Sequence, residues 1–142
     1  MKIQEKADAV AEEFAVFEDW LDKYNHIIEL GKDLPSYDEK LKAPQYLISG
    51  CQSQVWIHAS FENGLVNFEG DSDALITKGI AAILIRVMSG STPDEILDND
   101  MSFIDGIGLR EHLSPTRSNG LNGMIKQMKL YAMAFKAKEQ AK

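Results

Sequence analysis

Apolar residues at Ile3, Ala7, Val10, Phe14, Phe17, Leu21, Tyr24 and Ile28 recur in alternating steps of four and three, the period of a helix with one buried stripe. Gly31 and Asp33-Leu34-Pro35 end the pattern. It fits one long helix, or two helices with a break near Phe17 to Asp19. Phe14, Phe17 and Trp20 on such a stripe are expected in the core. Residues 31–44 then read as a polar connector.

The period changes to two around Glu62-Asn63-Gly64-Leu65, where Asn-Gly is the signature of a tight type I′ hairpin turn with both central residues at positive φ. A two-residue loop there sets Glu62 opposite Leu65, Phe61 opposite Val66, Ala59 opposite Phe68, Ser60 opposite Asn67 and His58 opposite Glu69. Val55, Ile57, Ala59 and Phe61 then share one apolar face, and the other face is polar, as a half-covered antiparallel sheet requires. Trp56 falls on that outer face, where a helix covers it or it anchors an interface.

Helical patterns follow. Ala74 to Met88 is apolar almost all round, which marks a buried helix, with Ser72 or Asp71 as the expected cap. Gly79 in its middle suggests close packing against a neighbour, and Gly90 closes it. Thr92-Pro93-Asp94-Glu95 starts a further helix. Leu121, Met124, Ile125, Met128, Tyr131, Ala132 and Phe135 form the stripe of a terminal one. Between them Leu113-Ser114-Pro115-Thr116-Arg117-Ser118-Asn119-Gly120 reads as a polar loop, whose Ser, Thr and Asn are alternatively caps of the terminal helix. Its Arg117 is a permanent cation at a helix N-terminus, a setting that favours a carboxylate, a thiolate or a persulfide nearby. The alternative for Arg117 is an intramolecular salt bridge that fixes the loop.

Composition narrows the chemistry. The chain of 142 residues is expected to form a single domain over 1–142. Its net charge of −7 disfavours a nucleic-acid groove. Acidic residues crowd the middle of the sequence, among them Asp71, Asp73, Asp94 and Asp98. They make either a solvated surface or a docking patch for a basic partner. The N-terminus lacks the apolar stretch of a signal peptide, and no apolar run is long enough to span a bilayer. With one cysteine no intramolecular disulfide forms, which fits a cytoplasmic protein.

That cysteine is Cys51, in Gly50-Cys51-Gln52-Ser53, between Tyr46-Leu47-Ile48 and Gln54-Val55-Trp56-Ile57. Small polar residues between two strand-forming runs read as a turn, so the thiol is expected near a loop tip. Flanking Leu47, Ile48 and Val55 are expected to rest its sulfur against apolar surface. One thiol cannot hold a metal cluster, which needs several ligands. A cysteine phosphatase needs an Arg six residues on, where this chain has Ile57. A Cys–His hydrolase needs a histidine to take the thiol proton; His26 or His112 would have to approach through the fold. No phosphate-binding glycine loop is present.

Ser49 to Trp56 (SGCQSQVW) resembles the cysteine motif of the SufE family, sulfur-acceptor proteins of iron–sulfur cluster assembly. Tyr24 to Gly31 (YNHIIELG), Gly70 to Ala74 (GDSDA) and Leu113 to Gly120 (LSPTRSNG) match the same family in order. The resemblance implies an α+β fold, a small antiparallel sheet packed against helices as in NifU-type cluster scaffolds, with the cysteine on a loop. Those scaffolds use three cysteines, so scaffold function is not implied here. What is implied is a carrier that binds no cofactor of its own. A SufS-like cysteine desulfurase, bearing pyridoxal phosphate, would load Cys51 with sulfur, and a cluster scaffold or another sulfur acceptor would receive it. Gly50 would allow close approach to the partner, and Gln52 and Ser53 would either hydrogen-bond the carried sulfur or shape the turn. Asp73 and Arg117 are the candidate docking residues. An independent thiol enzyme and an adaptor with a structural cysteine are the alternatives.

Overall fold

In a computed structural model, which describes residues 2–48 and 53–140, helices surround one two-stranded antiparallel sheet. The N-terminal stripe is two helices. α1 (Ile3–Ala15) buries Ile3, Ala7, Val10 and Phe14, and α2 (Trp20–Lys32) buries Ile27 and Gly31. Asp19 makes the break: its extended backbone stops propagation and its carboxylate accepts the Leu21 N–H at 3.1 Å as the N-cap of α2. Restarting the helix also resets its phase. Leu21, on the continuous stripe, is therefore exposed, and Ile27 takes the core position instead of Ile28.

β1 (Val55–Glu62) and β2 (Leu65–Ser72) pair in the register set by Asn63-Gly64, with Glu62 opposite Leu65 and His58 opposite Glu69. Asn63 and Gly64 both have positive φ, 55° and 78°, as the type I′ turn demands. The polar face is less open than the alternation suggests. Trp56 is only 9% exposed, with the Lys42 ammonium 5.3 Å from its ring centroid, so the connector folds back over this end of the sheet. Trp56 is covered, not an anchor.

α3 (Leu75–Met88) packs on β2 and on α2, and Ile80, Ile83, Leu84 and Met88 along it are essentially fully buried. Burial of each such side chain contributes on the order of 2 kcal/mol. Gly79 permits the approach of α2, since a Cβ there would lie 2.1 Å from the Ile27 carbonyl oxygen, and Gly31 faces it from α2. Gly90, at φ 79°, follows the helix end. Neither Ser72 nor Asp71 caps α3. The N-cap is Ala74, without a side-chain bond, because β2 runs on through Ser72.

α4 (Pro93–Asp98) starts as expected, Thr92 accepting the Glu95 N–H at 3.2 Å. Two short helices, α5 (Phe103–Gly106) and α6 (Leu109–His112), lead to α7 (Pro115–Gln140). The stretch expected to be a polar loop is thus the opening of α7. Ser114 accepts the Arg117 N–H at 3.3 Å, and Pro115 takes the first helical position, where its missing N–H costs nothing. Ser114, Arg117 and Asn119 in these turns are exposed, while Gly120 and Leu121 enter the core. Downstream, α7 packs against α4 and β1, and the Tyr131 hydroxyl donates to the Ile57 carbonyl at 2.8 Å.

Candidate functional site

Gly50, Cys51 and Gln52 lie outside the described residues, as does the expected burial of the Cys51 sulfur. The chain on either side of them is well specified. On the N-terminal side a 3-10 turn (Pro44–Tyr46) precedes a single bridge from Leu47 to Trp56, and the Ile48 N–H donates to the Val55 carbonyl at 2.8 Å. The lead-in is therefore one bridged residue rather than a strand. Ile48 and Val55 are buried, whereas Leu47 is 42% exposed.

On the C-terminal side the chain is clamped at the junction of β2 and α3. The Gln54 N–H donates to the Asp73 carboxylate at 3.0 Å. The Gln54 carbonyl accepts the Ser72 hydroxyl at 2.8 Å and the Asp73 N–H at 3.2 Å. One residue earlier, the Ser53 hydroxyl donates to the Thr77 hydroxyl at 3.2 Å. Asp73 itself is exposed, so its carboxylate both holds the backbone and faces solvent.

Asp71 organises the ground beneath this clamp. Its carboxylate accepts the Ser72 N–H at 2.8 Å and pairs with Lys42 at 3.3 Å and Lys78 at 3.4 Å, linking the connector to α3. Burial pushes this carboxyl up, but the Ser72 N–H and the two ammonium groups outweigh it, so its pKa lies below the usual aspartate value. Leu75, in the first turn of α3, is exposed and adds an apolar surface beside the clamp.

Arg117 is exposed on the first turn of α7. Its guanidinium donates to the Tyr24 hydroxyl and lies 5.8 Å from that ring's centroid. Beside it Trp20 stacks on His112 at 4.0 Å, and Trp20, Leu21, Tyr24 and His112 line a cleft of about 310 Å³. The contact described for Arg117 is thus with a tyrosine of α2, and it brings two of the matched sequence segments together.

The histidines are engaged elsewhere. His26 contacts the Glu13 carboxylate at 3.2 Å and packs against Phe14 and Phe17. The His112 Nδ1 lies 2.9 Å from the Gly108 carbonyl oxygen. His58 faces Glu69 at 3.5 Å, an electrostatic contact without a hydrogen bond, and meets Tyr46 edge-on. Among the described residues, no three His, Cys, Asp or Glu side chains are grouped as a metal site, and no helix is long and apolar enough to cross a membrane. Sequence reasoning singled out Ser53 and Asp73 for the site and Ser72 only as a helix cap, and passed over Thr77, Lys42 and Lys78. Thr77 carried a signal, as a hydroxyl next to Ile76 near the start of a mostly apolar helix; the two lysines carried none, because their partner is set by the fold.

A hairpin backed by helices, with the chain's single cysteine between two anchored stems, defines an α+β fold with a small antiparallel sheet. Residues 8–132 match the SufE family, described as an Fe-S metabolism associated domain, and the chain belongs to that family. It is 43% identical over 127 residues to an uncharacterized SufE-like protein of Rhizobium meliloti, covering 86% of this chain and 91% of that protein. A SufE-like protein of Rhizobium etli is 42% identical over the same length, covering 86% of each. The solution structure of a hypothetical protein from Thermus thermophilus shares the fold, with a TM-score of 0.76 at 22% identity over 91% of this chain and 94% of that one. Membership carries the family's general role, acceptance of sulfur from a cysteine desulfurase, and its members are carriers and activators rather than stand-alone catalysts.

Proposed function

We propose that Cys51 is the sulfur-carrying residue of this chain, loaded by a pyridoxal-phosphate-dependent desulfurase and unloaded to iron–sulfur cluster assembly in the reducing cytoplasm. The observation that supports this most directly is the single cysteine of a SufE-family chain, lying between stems tied to the sheet and to the start of α3. The Cys51 thiolate attacks the outer sulfur of the desulfurase's cysteine persulfide. A new S–S bond forms on Cys51 as the partner's S–S bond breaks, and the electron pair leaves with the partner's inner sulfur as a thiolate. The exchange is redox-neutral and needs no acid, base or metal from this chain.

Gly50 permits close approach to the partner, and Gln52 and Ser53 border the reacting residue. Asp73 and Arg117 serve docking and charge stabilisation: Arg117 presents a permanent cation on an exposed helix start, suited to a persulfide anion or a partner carboxylate. The one-domain span 1–142 carries all of these residues. Intact mass after incubation with the desulfurase and L-cysteine tests the reading. A one-sulfur adduct on the wild type and none on Cys51→Ser is the expected result. Full activation of the desulfurase by Cys51→Ser would replace the carrier with an adaptor.

A further inference from the structure

Thr77 is out of character in its surroundings. It is the third residue of α3, only 7% exposed, between apolar Ile76 and Ile80 on a helix whose buried surface is otherwise hydrocarbon and glycine. A valine has the same shape and would satisfy the same packing. Burying a hydroxyl without a partner is costly, so the group needs a hydrogen bond, and it finds one with Ser53, 24 positions away in sequence. Ser53 is two residues after Cys51. Its neighbour Gln54 is held through both backbone groups by Ser72 and Asp73, but those bonds leave the Ser53 side chain free to choose its direction. The Thr77 hydroxyl removes that freedom. Of the contacts described on this stem, it is the one closest in sequence to the cysteine.

We propose that Thr77 is a positioning residue for sulfur transfer: by holding the Ser53 hydroxyl it fixes the stem from which the chain runs back to Cys51. The proposal rests on Cys51 as the carrier. Transfer between two sulfurs depends on how often they meet in line, so the tie acts on the transfer rate at saturating desulfurase rather than on affinity. Thr77→Val keeps the shape and deletes the bond, and Thr77→Ser keeps the bond.

Two readouts test this, one with the partner and one without. Thr77→Val is expected to slow sulfur loading at saturating desulfurase about fivefold, the scale of one lost hydrogen bond, with half-saturation unchanged. Without partner, amide exchange in a peptide covering 49–54 is expected to quicken severalfold. Thr77→Ser should restore both. Ser53→Ala removes the same bond from the partly exposed side, so it serves if Thr77→Val folds poorly, and in the double variant the two losses should not add. Faster exchange with normal loading would make the tie structural only and overturn the proposal, as would no change in either. A wild type that takes up no sulfur overturns the carrier reading, and this proposal with it; that failure is seen in the wild type alone, before any variant is compared.

Discussion

At the scale of single residues, Arg117 and Asp73 combine a visible local contact with an exposed charge. The Arg117–Tyr24 contact is a surface cation–π pair, worth about 0.5–1 kcal/mol. Arg117→Ala should therefore lower the melting temperature by only a few degrees. Sulfur loading at saturating partner is expected to slow severalfold. A large loss of stability with normal loading would assign Arg117 to the fold and remove it from the site. Asp73 allows a finer separation because Asp73→Asn keeps an oxygen for the Gln54 N–H while deleting the charge. Weaker docking to the desulfurase with a flatter salt dependence would place the charge at the interface. Affinity indifferent to both the substitution and ionic strength would leave Asp73 as a backbone clamp.

At the scale of elements, α2 and α3 approach each other closely. Gly79 and Gly31 face each other there, and the Ile27 carbonyl occupies the space a side chain at position 79 would need. Gly79→Ala must push the helices apart, and urea denaturation is expected to show a loss of about 3 kcal/mol, at the high end for overpacking. A loss under about 1 kcal/mol would mean that the helices can shift without consequence. This contact was legible in part: a glycine in an apolar helix announced close packing, but its partner was not visible. The opening of α7 was likewise legible only in part: a cap was foreseen, but the helix starts earlier than the polar loop suggested. Ser114-Pro115 is a helix start as clear as Thr92-Pro93, yet the polar residues after it look like a loop until the opening turns of α7 are seen to carry Gly120 and Leu121 into the core.

At the scale of the whole molecule, carboxylates tie distant segments together, and their titration sets how the fold responds to acid. Asp71 joins the connector, β2 and α3, and Glu13 on α1 binds Arg86 on α3. The Arg86 hydrogen bond lowers the Glu13 pKa against the opposing effect of burial, and His26 adds to the lowering. A carboxyl whose folded pKa is depressed adds stability above its unfolded pKa, and that stability is lost as pH falls through the folded value. Wild type should therefore lose stability as pH drops into the carboxylate range. Asp71→Asn should be less stable than wild type at neutral pH, and the gap should narrow as pH falls below the ordinary aspartate pKa of about 3.9 and through the depressed folded value. Melting temperatures across that range measure it. A gap that stays constant would mean that Asp71 acts by packing, not by charge.

Local signals were enough for the parts of this protein that short stretches of backbone decide. Asn63-Gly64 dictates a hairpin register because its turn admits almost no other residues, and Thr92-Pro93 and the terminal apolar stripe each satisfy their own helix. The four matched segments around the lone cysteine likewise marked the family, since short motifs are read directly from neighbouring residues. Tertiary structure alone decided what is shared between segments far apart in the chain. Lys42 was drawn onto Trp56 and Asp71. Arg117 met Tyr24, and Thr77 met Ser53. In each of these the partner is chosen by packing of the hydrocarbon core, which brings residues together without regard to their distance in sequence, and no local pattern encodes that choice.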